Sequence, residues 1–191
     1  MKILETERLI LSEVTENDAE FMLDLLNQPS FIKYIGDRNV RTIEEAKDFI
    51  KTRYQKSYDD NGYGLYLVEL KSDIKTPNSQ IEDTLAHARV SAFESKKSKI
   101  GICGFVKRDN FQYADIGFAF LPQFEKHGYA FESAQAVMGY GEKTFGFKEV
   151  LAITTQDNES SGRLLEKLHF KFNKLIEMPN GEVLKLFSWE A

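Results

Sequence analysis

Apolar positions along the chain recur at two periods, one of two residues and one of three to four. Residues 6–13 alternate, with Leu9 and Leu11 on one face, and read as a strand. Phe21, Met22, Leu25 and Leu26 then recur at helical spacing behind a loose capping box at Thr15 and Asp18, and Pro29 closes that helix. A better capping box, Thr42 with Glu45, precedes the stripe Ile43, Ala46, Phe49, Ile50 and Tyr54. Between these two helices, residues 31–40 read as a loop with an aromatic pair. Asn61-Gly62 is a turn signal, and residues 64–70 read as a strand.

Residues 72–98 break the rhythm with a turn-forming polar start, a short helical pattern and a charged end. Hairpin loops are usually about 2–5 residues long, so the segment reads as an insertion between two paired strands. It fits a surface loop, a flap over a cleft or a dimer contact. Beyond it, residues 100–106 and 113–121 form a hairpin around Asp109-Asn110, and Pro122 stops the second strand. A long helix over 128–145, a short buried strand over 150–155 and a helix over 158–169 follow. Two closing strands, 170–177 and 182–189, turn at Pro179-Asn180-Gly181. The order β-α-α-β-β-β-α-β-α-β-β predicts one α/β (α+β) domain over residues 1–191, a mixed central sheet with helices on both faces.

Composition narrows the function classes. With 42% apolar and 13% aromatic residues in 191, the chain can build a core and is not a disordered protein. A net charge of −5 argues against nucleic-acid binding, which rests on surplus Lys and Arg, and mildly favours cationic partners. The one cysteine, Cys103, excludes an internal disulfide and a Cys-cluster metal site, and no metal site is expected. Inside an apolar strand it reads as a small buried hydrophobe. No apolar run approaches the roughly 18 residues of a membrane span, and residues 1–10 lack a signal-peptide core. The expectation is a soluble cytoplasmic protein without membrane or nucleic-acid partners.

Two stretches carry candidate chemistry. Over residues 118–134 a strand ends at proline, a polar loop carries Lys126, His127 and Gly128, and a long helix begins. A helix N-terminus offers unpaired N–H groups and the positive end of a dipole, so such a loop suits a phosphate. Gly128 lets backbone approach an anion, and small Ala130 keeps the first turn uncluttered. A plain capping loop fits the same residues. Neither a Walker loop nor a G-x-G-x-x-G fingerprint is present. Over residues 154–172 a strand ends at Asp157-Asn158, either of which caps the next helix.

The joint order of these stretches resembles the GNAT superfamily of N-acetyltransferases, and most closely the branch of ribosomal-protein-alanine N-acetyltransferases. The matching residues are the opening strand Glu5 to Asp18, the strand Asp115-Ile116-Gly117-Phe118, the loop Pro122 to Ala134, Asp157-Asn158-Glu159-Ser160-Ser161, and Leu165-Glu166-Lys167-Leu168-His169-Phe170. The resemblance implies acetyl-coenzyme A as donor. It implies that the backbone N–H groups of Lys126, His127, Gly128, Tyr129 and Ala130 cradle the pyrophosphate. It further implies that the backbone of Phe118 and Phe120 pairs with the pantetheine arm, that Asn158 contacts pantetheine, and that Ser161 protonates the leaving thiolate. Three residues depart from the family pattern. Lys126 and His169 stand where glycine is usual, and His127 replaces a Lys or Arg. The tyrosine acid of the broader superfamily would fall at Leu165, which closes that route.

Acetyl transfer by direct attack in a ternary complex needs a neutral primary amine beside the thioester. An α-amine, with a pKa of about 7.7–8.0, is far less protonated at pH 7 than a lysine at about 10.4. No histidine offers an obvious base: His87 lies in the insertion, His127 in the phosphate loop and His169 beyond the last helix. Asp115, at the start of the strand leading to the thioester, is the remaining candidate base, acting through water. Tyr34 is the first candidate for acceptor binding. The expected acceptor is a small-molecule amine or a peptide N-terminus, and a homodimer stays open. The alternatives to an enzyme are a non-catalytic acyl-coenzyme A sensing module, suggested by the altered loop, and an interaction protein docking through its insertion.

Overall fold

The protein is described from a computed structural model covering residues 1–71 and 98–191. The chain opens with a hairpin of β1 (Lys2–Glu5) and β2 (Leu9–Glu13). The strand expected over 6–13 is therefore corrected to one over 9–13, with residues 6–8 as a turn and a further strand over 2–5 before it. The intervening turn is held by Thr6 N–H donating to Leu9 O at 3.0 Å and by Arg8 N–H donating to Glu132 Oε1 at 2.9 Å, a partner 124 residues away.

The Thr15–Asp18 capping box is present, with Thr15 N–H donating to Asp18 Oδ2 at 2.7 Å, and it starts a tight turn leading into α1 (Ala19–Leu26). Pro29 follows α1 but also opens a second short helix, α2 (Pro29–Tyr34). The expected loop over 31–40 thus begins as a helix. Proline at a first helical position loses no hydrogen bond, because that N–H has no intrahelical partner, and its φ is already set. After the Thr42–Glu45 capping box, α3 (Ile43–Phe49), a π-helical turn (Ile50–Gln55) and α4 (Lys56–Asn61) run on as one element. The Asn61-Gly62 signal marks its end, with Gly62 at φ 76°.

β3 (Leu65–Leu70), β4 (Lys99–Val106) and β5 (Asp115–Phe120) pair antiparallel in turn. The insertion expected at 72–98 lies, apart from Ser98, outside the described residues. Next come α5 (Tyr129–Phe145), β6 (Glu149–Thr155), α6 (Glu159–Lys167), β7 (Lys171–Glu177) and β8 (Val183–Glu190). Among the described residues eight strands form one mixed sheet in the order β1-β2-β3-β4-β5-β6-β8-β7, parallel only between β5 and β6.

Helices cover both faces, as the pattern predicted. On one face α5 and α6 bury Val137, Met138 and Leu165 against Val68, Phe105 and Ile116. Gly141 makes that approach close, since a Cβ there would meet the Phe105 ring at 2.5 Å. On the other face α1, α2 and α3 bury Met22, Leu25, Phe31 and Ala46 against Leu67 and Ile102.

One discontinuity in this sheet creates the groove. β5 and β6 share a single register pair, Asp115 with Leu151, secured by Leu151 N–H donating to Ala114 O at 2.9 Å. β5 then runs on to Phe120 and β6 to Thr155 without pairing with each other. β6 meanwhile stays paired with β8 as far as Thr155 with Leu184. The sheet is therefore split into two halves hinged at Asp115, with a wedge between them.

Candidate active site

Strand alternation decides which backbone groups face the wedge. Leu121 N–H donates to Ile100 O at 2.9 Å, so odd residues of β5 pair with β4. Phe118 and Phe120, beyond the Asp115–Leu151 pair, therefore turn their N–H and C=O toward the unpaired side. An exposed strand edge of this kind can accept an extended, amide-bearing chain as an added strand. The side chains of Phe118 and Phe120 meanwhile pack into the core under α5.

At the far end of β5, Leu121 leads into a tight turn, Pro122–Phe124, and then the loop to α5. Lys126 and Gly128 both adopt left-handed conformations, at φ 63° and 84°. Gly128 is the helix N-cap and offers no side-chain cap. As a result, none of the six consecutive N–H groups of residues 126–131 donates to an acceptor among the described residues. The first helical bond is Glu132 N–H to Gly128 O, at 3.0 Å. The carbonyls of Glu125, His127 and Gly128 are occupied. Arg8 Nη1 donates to His127 O at 3.0 Å, and His127 Nδ1 lies 2.7 Å from Glu125 O. A run of free donors at a helix N-terminus, with the neighbouring His127 carbonyl tied back by Arg8, suits an anion. The residues present fit a pyrophosphate, because Gly128 has little room for a Cβ, which would meet Arg8 Nη2 at 3.3 Å.

The positive φ at Lys126 explains why the family pattern has glycine there. The same holds for His169, at φ 67°. It closes α6 in a Schellman motif, with Phe170 N–H donating to Leu165 O and His169 N–H to Glu166 O, both at 3.0 Å. His169 is thus a helix-stop residue.

Arg8 was not singled out by sequence reasoning, nor were its partners. Its Nε donates to Glu132 Oε2 at 2.6 Å, and its guanidinium lies 4.5 Å from the centre of the Tyr129 ring. Thr6 Oγ1 donates to Glu132 Oε1 at 2.6 Å. Burial pushes the Glu132 carboxyl up, but the bonds from Thr6 and Arg8 outweigh it and hold it below the usual range. The signal lay in residues 6–8 and in Glu132, which only the fold brings together.

At the hinge of the wedge, Asp115 is 1% exposed. Its two carboxylate oxygens accept from Arg108 Nε at 3.0 and 3.1 Å. Burial pushes its carboxyl up to about 6, and the Arg108 charge and hydrogen bond pull the other way. Such a group is mostly ionised at neutral pH yet basic enough to take a proton. Across the wedge, Asn158 caps α6, its Oδ1 accepting from Ser161 N–H at 3.1 Å. The Asn158 amide nitrogen and the Ser161 hydroxyl have no hydrogen-bond partner among the described residues, and both residues line the groove. Cys103 is fully buried and burial pushes its thiol up to about 12, so it is no nucleophile.

The groove encloses about 2270 Å³, beyond the roughly 300–1,000 Å³ of an ordinary small-molecule site. That leaves room for a long donor and an acceptor together. Its second end is walled by α2, the loop after it and the α3–α4 element. Tyr34 stands there, half-buried at the end of α2, with Lys33 Nζ donating to its hydroxyl at 3.1 Å and also pairing with Asp157 at 2.9 Å. Among the described residues, no group of three or more His, Cys, Asp or Glu comes together to hold a metal ion. None of the helices described is long and apolar enough to cross a membrane.

Comparison with known proteins gives the following. The acetyltransferase (GNAT) domain family matches residues 8–171. An uncharacterized N-acetyltransferase of Bacillus subtilis, YoaA, is 29% identical over 170 residues, spanning 88% of this chain and 82% of that protein. The ribosomal-protein-S5-alanine acetyltransferase of Vibrio fischeri superposes with a TM-score of 0.71 at 15% identity, over 98% of this chain and 95% of that one. The spermidine N-acetyltransferase of Vibrio cholerae, solved with CoA and spermine, superposes with a TM-score of 0.70 at 15% identity, over 97% and 96%.

Proposed function

Because the chain belongs to the GNAT acetyltransferase family, whose members are acetyl-coenzyme A-dependent N-acetyltransferases, we propose that it acetylates the α-amino group of a small molecule or peptide. The observation that carries this reading is the pairing of an anion cradle at residues 126–131 with a wedge whose open strand edge begins at Asp115. A donor held by its diphosphate at the cradle, with its amide arm along Phe118 and Phe120, would reach toward the hinge of the wedge. A solved spermidine acetyltransferase of the same fold carries CoA, which agrees with this donor.

In this reading each residue has one task. The N–H groups of Lys126, His127, Gly128, Tyr129 and Ala130 hold the diphosphate, and the exposed Lys126 adds charge. The Asn158 amide nitrogen donates to the amide arm while its oxygen keeps α6 capped. Asp115 takes a proton from the acceptor ammonium through water. The amine lone pair forms the new C–N bond and the C–S bond breaks. Ser161 donates its hydroxyl proton to the departing thiolate and recovers one from the amine nitrogen through solvent. Tyr34 borders the acceptor. A buried carboxylate of pKa about 6 is a weak base for a lysine but sufficient for an α-amine.

The test is release of free thiol from acetyl-coenzyme A with a panel of amines. α-Amines should turn over faster than lysine side chains at pH 7.5. Equal or faster lysine acetylation would overturn the acceptor preference. Tight acetyl-coenzyme A binding without turnover of any amine would overturn catalysis and leave a sensing module.

A further inference from the structure

Three guanidiniums share the acceptor end of the groove. Arg38 follows α2, Arg53 lies on the π-helical turn, and Arg108 follows β4, and all three line the groove. Arg38 is exposed as a residue, and its charge is felt by both of the others. Burial pushes it below the usual arginine range, Tyr54 opposes that shift, and repulsion from Arg108 and Arg53 adds to it.

Two of these three charges lack a carboxylate partner among the described residues. Arg108 is engaged with Asp115. Arg38 donates from Nη2 to Ile35 O at 3.3 Å, and among the described residues neither Arg38 nor Arg53 pairs with a carboxylate. Asp37 pairs with Arg41, Asp60 with Lys56, and Glu45 caps α3. Glu44 and Asp48, exposed on α3, pair with neither arginine. Like charges gathered at one end of a groove repel one another, and an anion entering there relieves that repulsion.

A second observation concerns the backbone. Residues Ile50–Gln55 leave α-helical geometry for a π turn, a rare arrangement concentrated at functional sites. The turn carries Arg53 and Tyr54 side by side. Tyr54 is 6% exposed and lines the groove, yet its hydroxyl makes no hydrogen bond among the described residues. Burial raises its pKa far above the usual phenol range, so the hydroxyl stays a donor.

We propose that Arg38, Arg53 and the Tyr54 hydroxyl form an anion subsite, so that the acceptor is a small amine that also carries a carboxylate or phosphate group. This rests on the acetyl-transfer reading above and sharpens it. Guanidinium forks match the planar geometry of a carboxylate and grip it bidentately. Arg108, held by the hinge residue Asp115, ties the subsite to the mouth of the wedge, so the anion and the amine fit one compact molecule. The same field repels polyamines, although the chain as a whole is acidic.

The experiment has an activity arm and a binding arm. Turnover of amino-acid acceptors and aminoalkyl phosphates is compared with that of their neutral amides and alcohols and of spermidine. The wild type should favour the anionic acceptors by at least tenfold in kcat/KM. A larger gain for phosphates names phosphate as the group, and a larger gain for carboxylates names carboxylate. Arg53→Gln and Arg38→Gln should each cut that preference about tenfold through KM, with KM for acetyl-coenzyme A unchanged, and Arg53→Lys should restore part of it. In the binding arm, succinate or inorganic phosphate should raise the unfolding temperature of the wild type more than that of the Arg38→Gln/Arg53→Gln double variant. Equal use of neutral and anionic acceptors, or equal protection of wild type and double variant, overturns the subsite. Absence of thiol release with every amine, alongside selective protection of the wild type, overturns the transferase reading and leaves the subsite standing.

Discussion

Arg8, on the turn between β1 and β2, grips Glu132 on the first turn of α5 through Nε and Oε2 at 2.6 Å. The same guanidinium donates from Nη1 to the His127 carbonyl. One side chain thus fixes both the start of the helix and the direction of the loop carbonyl beside it. With that carbonyl turned back, the loop N–H groups face the groove. Arg8→Met should release the loop while leaving the donors in place. The expected result is a rise of about tenfold in KM for acetyl-coenzyme A. Removing a partly buried, hydrogen-bonded pair costs about 1–2 kcal/mol, which for a chain of this size is a fall of roughly 3–6 °C in Tm. Arg8→Lys should restore Tm better than KM, because an ammonium lacks the fork that reaches both acceptors. An unchanged KM in Arg8→Met would mean that the loop is set by its own turns alone.

His169 and Lys126 each hold a left-handed backbone conformation that glycine adopts without a Cβ penalty. Their substitutions should separate strain from function. His169→Gly should raise Tm by about 1–3 °C, the net of roughly 0.5–1 kcal/mol after the added freedom of the unfolded chain is counted. It should leave kinetics unchanged, since His169 closes α6. Lys126→Gly should stabilise similarly but weaken acetyl-coenzyme A binding several-fold by removing a charge beside the diphosphate. Calorimetry and donor titration on the same two proteins check both statements.

The sequence carried the local half of this site and little of the rest. Residues 118–134 and 154–161 are contiguous runs that depend on chain direction and helix starts, so a candidate anion loop and the cap at Asn158 could be read from them, while a role for Ser161 came only with the family resemblance. The Arg8–Glu132 bond joins positions 124 residues apart and has no local signature. It also holds the turn at residues 6–8, which alternation alone reads as the start of a strand. Pro29 misled because proline both ends one helix and begins the next. The π turn at 50–55 leaves the apolar stripe unbroken, with Ile50 and Tyr54 both buried, so periodicity hid the turn that carries Arg53. The divergence of β5 from β6 is a property of pairing, which no single strand announces.

Ala130 lies on the first turn of α5, half-buried and lining the groove. Ala130→Glu would place a carboxylate against the N–H cradle, where it would both fill the space and repel a diphosphate. Acetyl-coenzyme A affinity measured by calorimetry should fall by at least a hundredfold with the fold retained. Unchanged affinity would show that the donor does not use this helix start.

Ser161→Ala removes a hydroxyl but keeps the backbone N–H that bonds Asn158. The cap on α6 should therefore survive, and KM for acetyl-coenzyme A should change less than twofold. If Ser161 supplies the proton to the thiolate, kcat should fall by about 10²-fold, within the range of general acid catalysis. An unaltered kcat would reduce Ser161 to a helix-start residue.

Asp115 and Arg108 make the pH dependence specific. The folded chain holds the Asp115 proton more tightly than the unfolded chain does, because burial lifts the carboxyl from 3.8 to about 6 against the pull of Arg108. The stability contributed by this raised pKa is complete below about pH 4 and is lost as pH rises through 6. Two pKa units set its upper bound at about 3 kcal/mol. Asp115→Asn has no such titration, so its stability relative to the wild type should improve between pH 4.5 and 7.5. Any constant offset from leaving Arg108 unpaired cancels in that comparison. In the proposed mechanism catalysis runs the opposite way, since only ionised Asp115 would accept a proton. With an acceptor of fixed amine pKa, wild-type kcat/KM should show an extra rise through about pH 6 that Asp115→Asn lacks. Arg108→Gln removes the charge that holds the carboxyl down and should move that rise to higher pH. If Asp115→Asn keeps the rise at the same pH, the proton goes to another group, and Asp115 serves only to hold Arg108 at the hinge of the wedge.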